Sequence, residues 1–326
     1  MSIPIAIAGL IVGFVVGMTG MGGGALMTPV LILVFGVSAP AAVSSDLVAS
    51  VIMRPVGAAV HLRRGTVQGG LVLWLSIGSV PTAFLGVLLI KVLAHGHQIQ
   101  NIVDLALAAA LLLSAGAMVV KALMNLRQLA RGEHHADVAP RSVPVRRVPT
   151  LLIGALGGLV VGMTSVGSGS LIIACLLFLY PRLKASQLVG TDLVQAMPLV
   201  ASAALGHLLF GDVQFALTTA LVIGSVPGVF LGALVSSYAP PRIVRRALAI
   251  VLLASGLKLA QVGTVELGII VAAVAVLGPL LWALVRRTDG YLGKRPPTLR
   301  RPPTVGGSAT LHRPPTVGGS ATESAD

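Results

Sequence analysis

Charge is what this sequence has least of. Only 10% of its 326 residues are charged and 55% are hydrophobic, where a soluble globular domain carries about 25% charged residues. Mean hydropathy is +0.95. So little polar surface cannot cover a soluble core of this size, which excludes an ordinary water-soluble domain. Cysteine is nearly absent: Cys175 alone rules out an internal disulfide and any cysteine-based metal site. Aromatic residues make up 4%, and acidic residues number 10 against 23 Lys and Arg, for a net charge of +13. That excess does not point to nucleic acid, because the basic residues gather in loops between apolar segments, as cytoplasmic loops do. The glycine-rich GMTGMGGG lacks the Lys-Ser/Thr of a phosphate-binding loop. No catalytic triad or metalloprotease motif is present, so neither an enzyme nor a cofactor is expected. His95 and His97, with His134 and His135, have no third ligand at a sensible spacing, and no metal is expected.

Long apolar runs are what the chain has in their place, among them Leu71 to Ile90, Leu105 to Val120 and Leu267 to Val285. Each is long enough, or nearly so, to cross roughly 30 Å of hydrocarbon as a helix. Most of the 39 glycines lie inside such runs, where they let helices approach closely in lipid. The N-terminus has no basic stretch and its apolar run continues into a glycine motif, so it does not read as a cleaved signal peptide.

The chain repeats itself. Residues 9–24 (GLIVGFVVGMTGMGGG) and 154–169 (GALGGLVVGMTSVGSG) are identical at nine of sixteen positions, and 77–86 (IGSVPTAFLG) matches 223–232 (IGSVPGVFLG) at eight of ten. Between them Asp46-Leu47-Val48 corresponds to Asp192-Leu193-Val194, and His61 to His207. Chance apolar similarity does not keep Asp, His, Gln and Pro in register. The organisation read from this is a first membrane repeat over 1–121, a basic linker over 122–149, a second repeat over 150–261 and an extra transmembrane segment over 262–287. A tail rich in Pro, Gly, Ser and Thr follows over 288–326. In the tail, PPTVGGSAT occurs twice, and such a composition is expected to be disordered.

The fold class expected is all-α and polytopic. Each repeat supplies a glycine-broken hairpin (about 3–36 and 150–180) and three longer segments: 42–61, 67–90 and 102–121, then 188–210, 214–236 and 244–261. With arms of about 15 residues, roughly 22 Å of helix, each hairpin reads as re-entrant or broken. Three crossings per half make the second repeat inverted relative to the first. Placing the linker and tail in the cytoplasm puts twenty basic residues inside and only Lys91 and Lys258 outside, as the positive-inside rule requires. The setting is therefore a cell membrane. Inverted repeats with broken helices are a recurrent carrier design, with the site near the midplane.

Two glycine motifs are the leading site candidates: Thr19, Gly20, Gly22, Gly23 and Gly24, and Thr164, Ser165, Gly167, Ser168, Gly169 and Ser170. Backbone can leave the helix there, and the N–H groups at the start of the following arm suit an oxyanion. The serines of the second copy add hydroxyl donors. Gly9, Gly13 and Gly17, four residues apart, need only close packing. Arg54 lies mid-segment, where a charge requires a partner or a wet cavity, and its planar fork suits a sulfonate or carboxylate. Asp46 and Asp192 follow small polar residues, as N-caps do; the sharper reading is a proton or cation coupling site. His61 and His207 read as segment-edge residues. Pro81 and Pro227, in matched places, read as kinks. Together these residues describe a membrane carrier whose partners are a small anionic substrate and the lipid bilayer, with no nucleic acid; a homo-oligomer is left open. A metal-cation or neutral-solute carrier, and a non-transporting scaffold whose linker and tail recruit a partner, are the competing readings.

The duplicated glycine-rich hairpin, followed by a Ser/Thr-Asp-Leu segment and a G-S-x-P-x-x-x-x-G segment, resembles the TauE/SafE family of sulfite and organosulfur-anion exporters. The resemblance covers about 1–285. It implies a proton- or ion-driven secondary carrier for small sulfur oxyanions, sulfonates or related carboxylates. The second motif reads GSG where the first reads GGG, so the two tips are not equivalent.

Overall fold

The structure is a computed structural model. It describes residues 3–19, 23–63, 65, 67–93, 98–130, 144–181, 183, 185–235, 241–263, 265–270 and 272–273. Gly20, Gly22, the four histidines at 95, 97, 134 and 135, most of the 266–285 segment and the tail from 288 lie outside the described residues, as does the side chain of His61. All the described residues belong to one unit, Met1–Trp282.

Every regular element among them is helical. In chain order they are α1 (Ile3–Thr19), α2 (Gly24–Leu33), α3 (Ala39–Arg63), α4 (Gly69–Leu93), α5 (Gln98–Ala130), α6 (Arg147–Thr164), α7 (Leu171–Leu179), α8 (Ala185–Phe210), α9 (Phe215–Val235) and α10 (Pro241–Leu259). Stretches of five of these are long and apolar enough to cross a membrane: Gly69–Val92, Gln100–Val120, Arg147–Thr164, Gln187–Phe210 and Phe215–Val235. Large apolar side chains such as Leu73, Leu85, Leu156, Leu209, Phe230 and Leu234 stand exposed on the outside, whereas Asp46, Arg54, Asp192, Gln195 and His207 are buried. That inversion of the soluble pattern belongs to a protein solvated by lipid. The chain is a multi-pass membrane protein.

The arms of each hairpin are unequal, unlike the equal pair expected. α1 has 17 residues and α2 has 10; α6 has 18 and α7 has 9. The helix runs on through the GMT of each motif, and the threonine hydroxyl turns back onto the last turn: Thr19 Oγ1 donates to Val15 O at 2.8 Å and Thr164 Oγ1 to Val160 O at 2.6 Å. α6 is thus long enough to cross by itself, and α7 returns only about half as far. The linker expected over 122–149 is also shorter than anticipated, since α5 continues to Ala130 and α6 begins at Arg147.

Each long arm is packed on a helix of the other repeat: α1 along α9, and α6 along α4. Both pairs meet backbone to backbone through small residues every fourth position. A Cβ added at Gly13 would come 2.6 Å from the Ser225 carbonyl oxygen, one at Gly228 would press on Leu10 O, and one at Gly158 on Ser79 O. The packing reading of Gly9, Gly13 and Gly17 therefore holds, with Gly224, Gly228 and Gly232 as the facing row. Such close approach brings carbonyls against the facing helix, where weak Cα–H···O contacts add to dispersion. α3 and α8 run antiparallel through the middle. Ser44 near the start of α3 bonds His207 near the end of α8, and Gln68 just after α3 donates its N–H to Thr191 Oγ1 near the start of α8. The matched contact, Gln214 N–H to Ser45 Oγ, recurs in the other half.

Overpacking of this kind costs about 1–3 kcal/mol, so Gly13→Ala should lower the thermal unfolding midpoint of the detergent-purified protein by several degrees and Gly13→Leu should prevent a monodisperse preparation. Gly116, on the α5 helix with nothing within 4 Å of an added Cβ, is the control: Gly116→Ala should leave the midpoint unchanged or raise it.

Candidate site where the hairpin tips meet

The two tips come together. A Cβ at Gly24 would collide with the backbone oxygen of Ser165, so only glycine lets the start of α2 lie against the end of α6. Ser165 itself holds φ 59 as the left-handed C-cap of α6, with its N–H on Val161 O. That conformation favours glycine and strains a serine by roughly 1 kcal/mol. The first repeat has Gly20 at the matched place. A serine is tolerated here because its hydroxyl has work elsewhere: Ser165 Oγ donates to Asp46 Oδ2 at 2.5 Å. Thr28 of α2 donates to the same oxygen at 3.3 Å. One carboxylate thus ties the second repeat's tip, and the short arm of the first, to α3.

Asp46 is the eighth residue of α3, and Asp192 the eighth of α8. Neither is an N-cap. α3 starts earlier than the sequence suggested, at Ala39-Pro40, where proline is compatible with a first turn, and Ser38 supplies the preceding carbonyl to Ala42 N–H. Both carboxylates are 1% exposed. Because α3 and α8 are antiparallel, Arg54 of α3 stands between them along the helix pair, and both act on it coulombically. Arg54 is 4% exposed, and its Nε and both Nη atoms have no hydrogen-bond partner among the described residues. A buried polar group left unmet costs about 1–3 kcal/mol, and a charged one more.

Beside the tips, Ala25, Ser165, Gly167, Ser168, Gly169, Ser170 and Leu252 line a narrow cavity with room for roughly one water molecule. Ala25 lies near the start of α2, and Gly167 to Ser170 form the turn that precedes α7. Gly167, at φ 118, makes the turn that only glycine adopts without strain. Its carbonyl already accepts the Leu171 and Ile172 N–H groups. Ser170 Oγ donates to Ser114 Oγ of α5 at 2.8 Å. The hydroxyls of Thr19 and Thr164 are turned onto their own helices, as described above.

His207 lies in the last turn of α8, at the segment edge as expected, but it faces the interior. It is 5% exposed, with Nε2 2.8 Å from Gly162 O and Nδ1 2.8 Å from Ser44 Oγ. The carbonyl can only accept, so Nε2 carries the hydrogen and Nδ1 of the neutral ring accepts from Ser44. The imidazole clamps α6 to α3 three residues before Ser165 and two before Asp46, which sets the alignment of that pair. His207 and Thr28 are the parts of the site that sequence reasoning missed. The repeat of His61 and His207 was the available signal for the first; nothing in the sequence marks the second.

Ser165→Gly relieves the left-handed strain while removing the Asp46 contact. Its unfolding midpoint should stay within a few degrees of the wild type, and its transport should fall by tenfold or more; equal transport by the two proteins would show the contact to be idle.

Comparison with known proteins places this geometry. Residues 5–259 match the family described as sulfite exporter TauE/SafE. A probable membrane transporter protein, YjnA, from Bacillus subtilis (strain 168) is 40% identical over 261 residues, covering 79% of this chain and all of that protein. A second from the same organism, YdhB, is 23% identical over 76% of this chain and 96% of its own length. A probable membrane transporter protein of Xylella fastidiosa (strain Temecula1 / ATCC 700964) is 27% identical over 71% of this chain and 83% of its own. No solved structure gives a significant match. With the family spanning both glycine hairpins and all ten helices between them, the chain belongs to the sulfite exporter TauE/SafE family of membrane transporters.

Proposed function

We propose that this transporter is a secondary carrier of small anions, chiefly sulfite, sulfonates or related organosulfur oxyanions, coupled to a proton or another ion. The observation that carries the reading is Arg54: a buried guanidinium whose nitrogens find no acceptor in the described protein, on the helix against which the first glycine tip packs. In hydrocarbon a cation so placed calls for a counter-charge. Two carboxylates lie in its field, but one of them, Asp46, already accepts Ser165 and Thr28. An oxyanion arriving between the tips would supply the acceptors that Arg54 lacks, in bidentate geometry. Gly23 lies over Ser50 of the helix that bears Arg54, and the 167–170 turn lines the cavity beside the tips.

The cavity beside the tips is too small for such an anion. Binding therefore requires the tips to part, and their parting stretches the Ser165–Asp46 bond. That links substrate entry to the charge state of Asp46. Asp192, the matched acid across the helix pair, serves the same coupling from the other repeat. The protein sits in the cell membrane with its basic linker and its tail in the cytoplasm, as the distribution of Lys and Arg favours. The chain acts as a carrier and not as an enzyme.

Arg54→Ala should abolish anion exchange in proteoliposomes, by about 100-fold or more, while membrane expression stays intact; in the same assay Asp192→Asn should shift or abolish the pH dependence of exchange. Undiminished flux from Arg54→Ala would remove Arg54 from the site.

A further inference from the structure

Ser50 lies one helical turn from Asp46 and one turn from Arg54, so the three form a single polar stripe along α3. It is fully buried, and its Oγ has no hydrogen-bond partner among the described residues, as is true of the Arg54 nitrogens. A hydroxyl inside a helix usually donates to the carbonyl one turn back. Thr19, Thr82, Thr150, Thr164 and Thr218 all do so here; Ser50 does not, nor do Ser76 of α4 and Ser225 of α9, but Ser50 alone of these three lies on the stripe with Asp46 and Arg54. The repeat supplies the comparison. Ser50 and Arg54 correspond to Ala196 and Val200 of α8, both fully buried. The same helix thus packs in the other half with apolar residues at both places, so packing requires neither the hydroxyl nor the guanidinium. The first tip closes over this stripe: a Cβ at Gly23 would stand 3.9 Å from Ser50 Oγ and would collide with the methyl of Met53. A side chain at position 23 would press on Met53, so glycine lets the tip lie close against the stripe.

We infer that Ser50 is a second anion ligand, its hydroxyl donating to the oxyanion that Arg54 holds once the tip at Gly23 has lifted from the stripe. The inference rests on the anion-carrier reading and deepens it. A guanidinium presents five N–H donors and a serine one O–H. The guanidinium offers donors only and the serine can turn its O–H to the same acceptor, a combination matched by a headgroup with at least two unprotonated oxygens. A metal cation would meet the guanidinium repulsively. Ser50 therefore sets affinity and headgroup choice, while Asp46, one turn away, is held by Ser165 and Thr28 for coupling.

The test is the unfolding midpoint of the purified full chain, titrated with sulfite, thiosulfate and acetate, for wild type, Ser50→Ala, Ser50→Thr and Arg54→Gln. Wild type should be stabilised saturably. Ser50→Ala should unfold at the wild-type temperature without anion, as Ala196 implies, yet need about tenfold more anion for half its stabilisation; Ser50→Thr should stay within about threefold of wild type. Equal anion dependence of wild type and Ser50→Ala, with Arg54→Gln unresponsive, would overturn the role of Ser50 and leave that of Arg54 standing. A large fall in the anion-free midpoint of Ser50→Ala would assign the hydroxyl to packing and overturn it too. Arg54→Gln responding like wild type, or no response of wild type to any of the three anions, would overturn the anion reading and this inference with it.

Discussion

Backbone contact between each long hairpin arm and a helix of the other repeat is the constraint on which the rest depends. α1 lies on α9 and α6 on α4 with glycines facing carbonyls at every fourth residue. In lipid no hydrophobic effect drives helices together, so close approach, dispersion and weak Cα–H···O contacts must do it. Because the long arms are exchanged, each glycine tip is held by both repeats: the first rests on its own α3 through Thr28 and Gly23 while its long arm lies on α9. The two tips are brought against each other at Gly24 and Ser165.

That geometry permits polar chemistry in the middle of an apolar bundle. The tips lie against α3, which carries Asp46, Ser50 and Arg54 one turn apart. The two repeats then diverge in a consistent way. The first has Ser50 and Arg54 where the second has Ala196 and Val200; the second has Ser165 where the first has Gly20. Thr28, too, has its matched place taken by Ile173. Duplication built a nearly symmetric frame, and departures from the repeat gather around one carboxylate, Asp46, which receives Ser165 and Thr28 across element boundaries. A symmetric frame with an asymmetric centre is compatible with the carrier proposed above.

Much of this was legible beforehand. The apolar runs located the spanning helices because hydrophobic length is a direct consequence of bilayer thickness. The repeat located the matched acids, the broken hairpins and the glycine rows. What the sequence misplaced were boundaries and partners. Asp46 and Asp192 read as caps because Ser44-Ser45 and Gly190-Thr191 precede them, yet those small residues lie inside the helices, where they accept N–H groups from Gln214 and Gln68. The arms read as equal because the glycines centre on the middle of the motif, whereas the helices run on through its threonines. Thr28 and His207 meet their partners across 18 and 163 residues, and no local pattern encodes contacts so remote.

The central claim is that the bundle moves an anion past Arg54. Its most direct test is counterflow of radiolabelled sulfite, thiosulfate, sulfoacetate, taurine and acetate in liposomes holding the purified full chain. The account predicts saturable exchange of the sulfur oxyanions, with acetate weaker. No exchange of any of them by protein that is folded and oriented in the bilayer would contradict it, and would leave the buried guanidinium with a structural role alone.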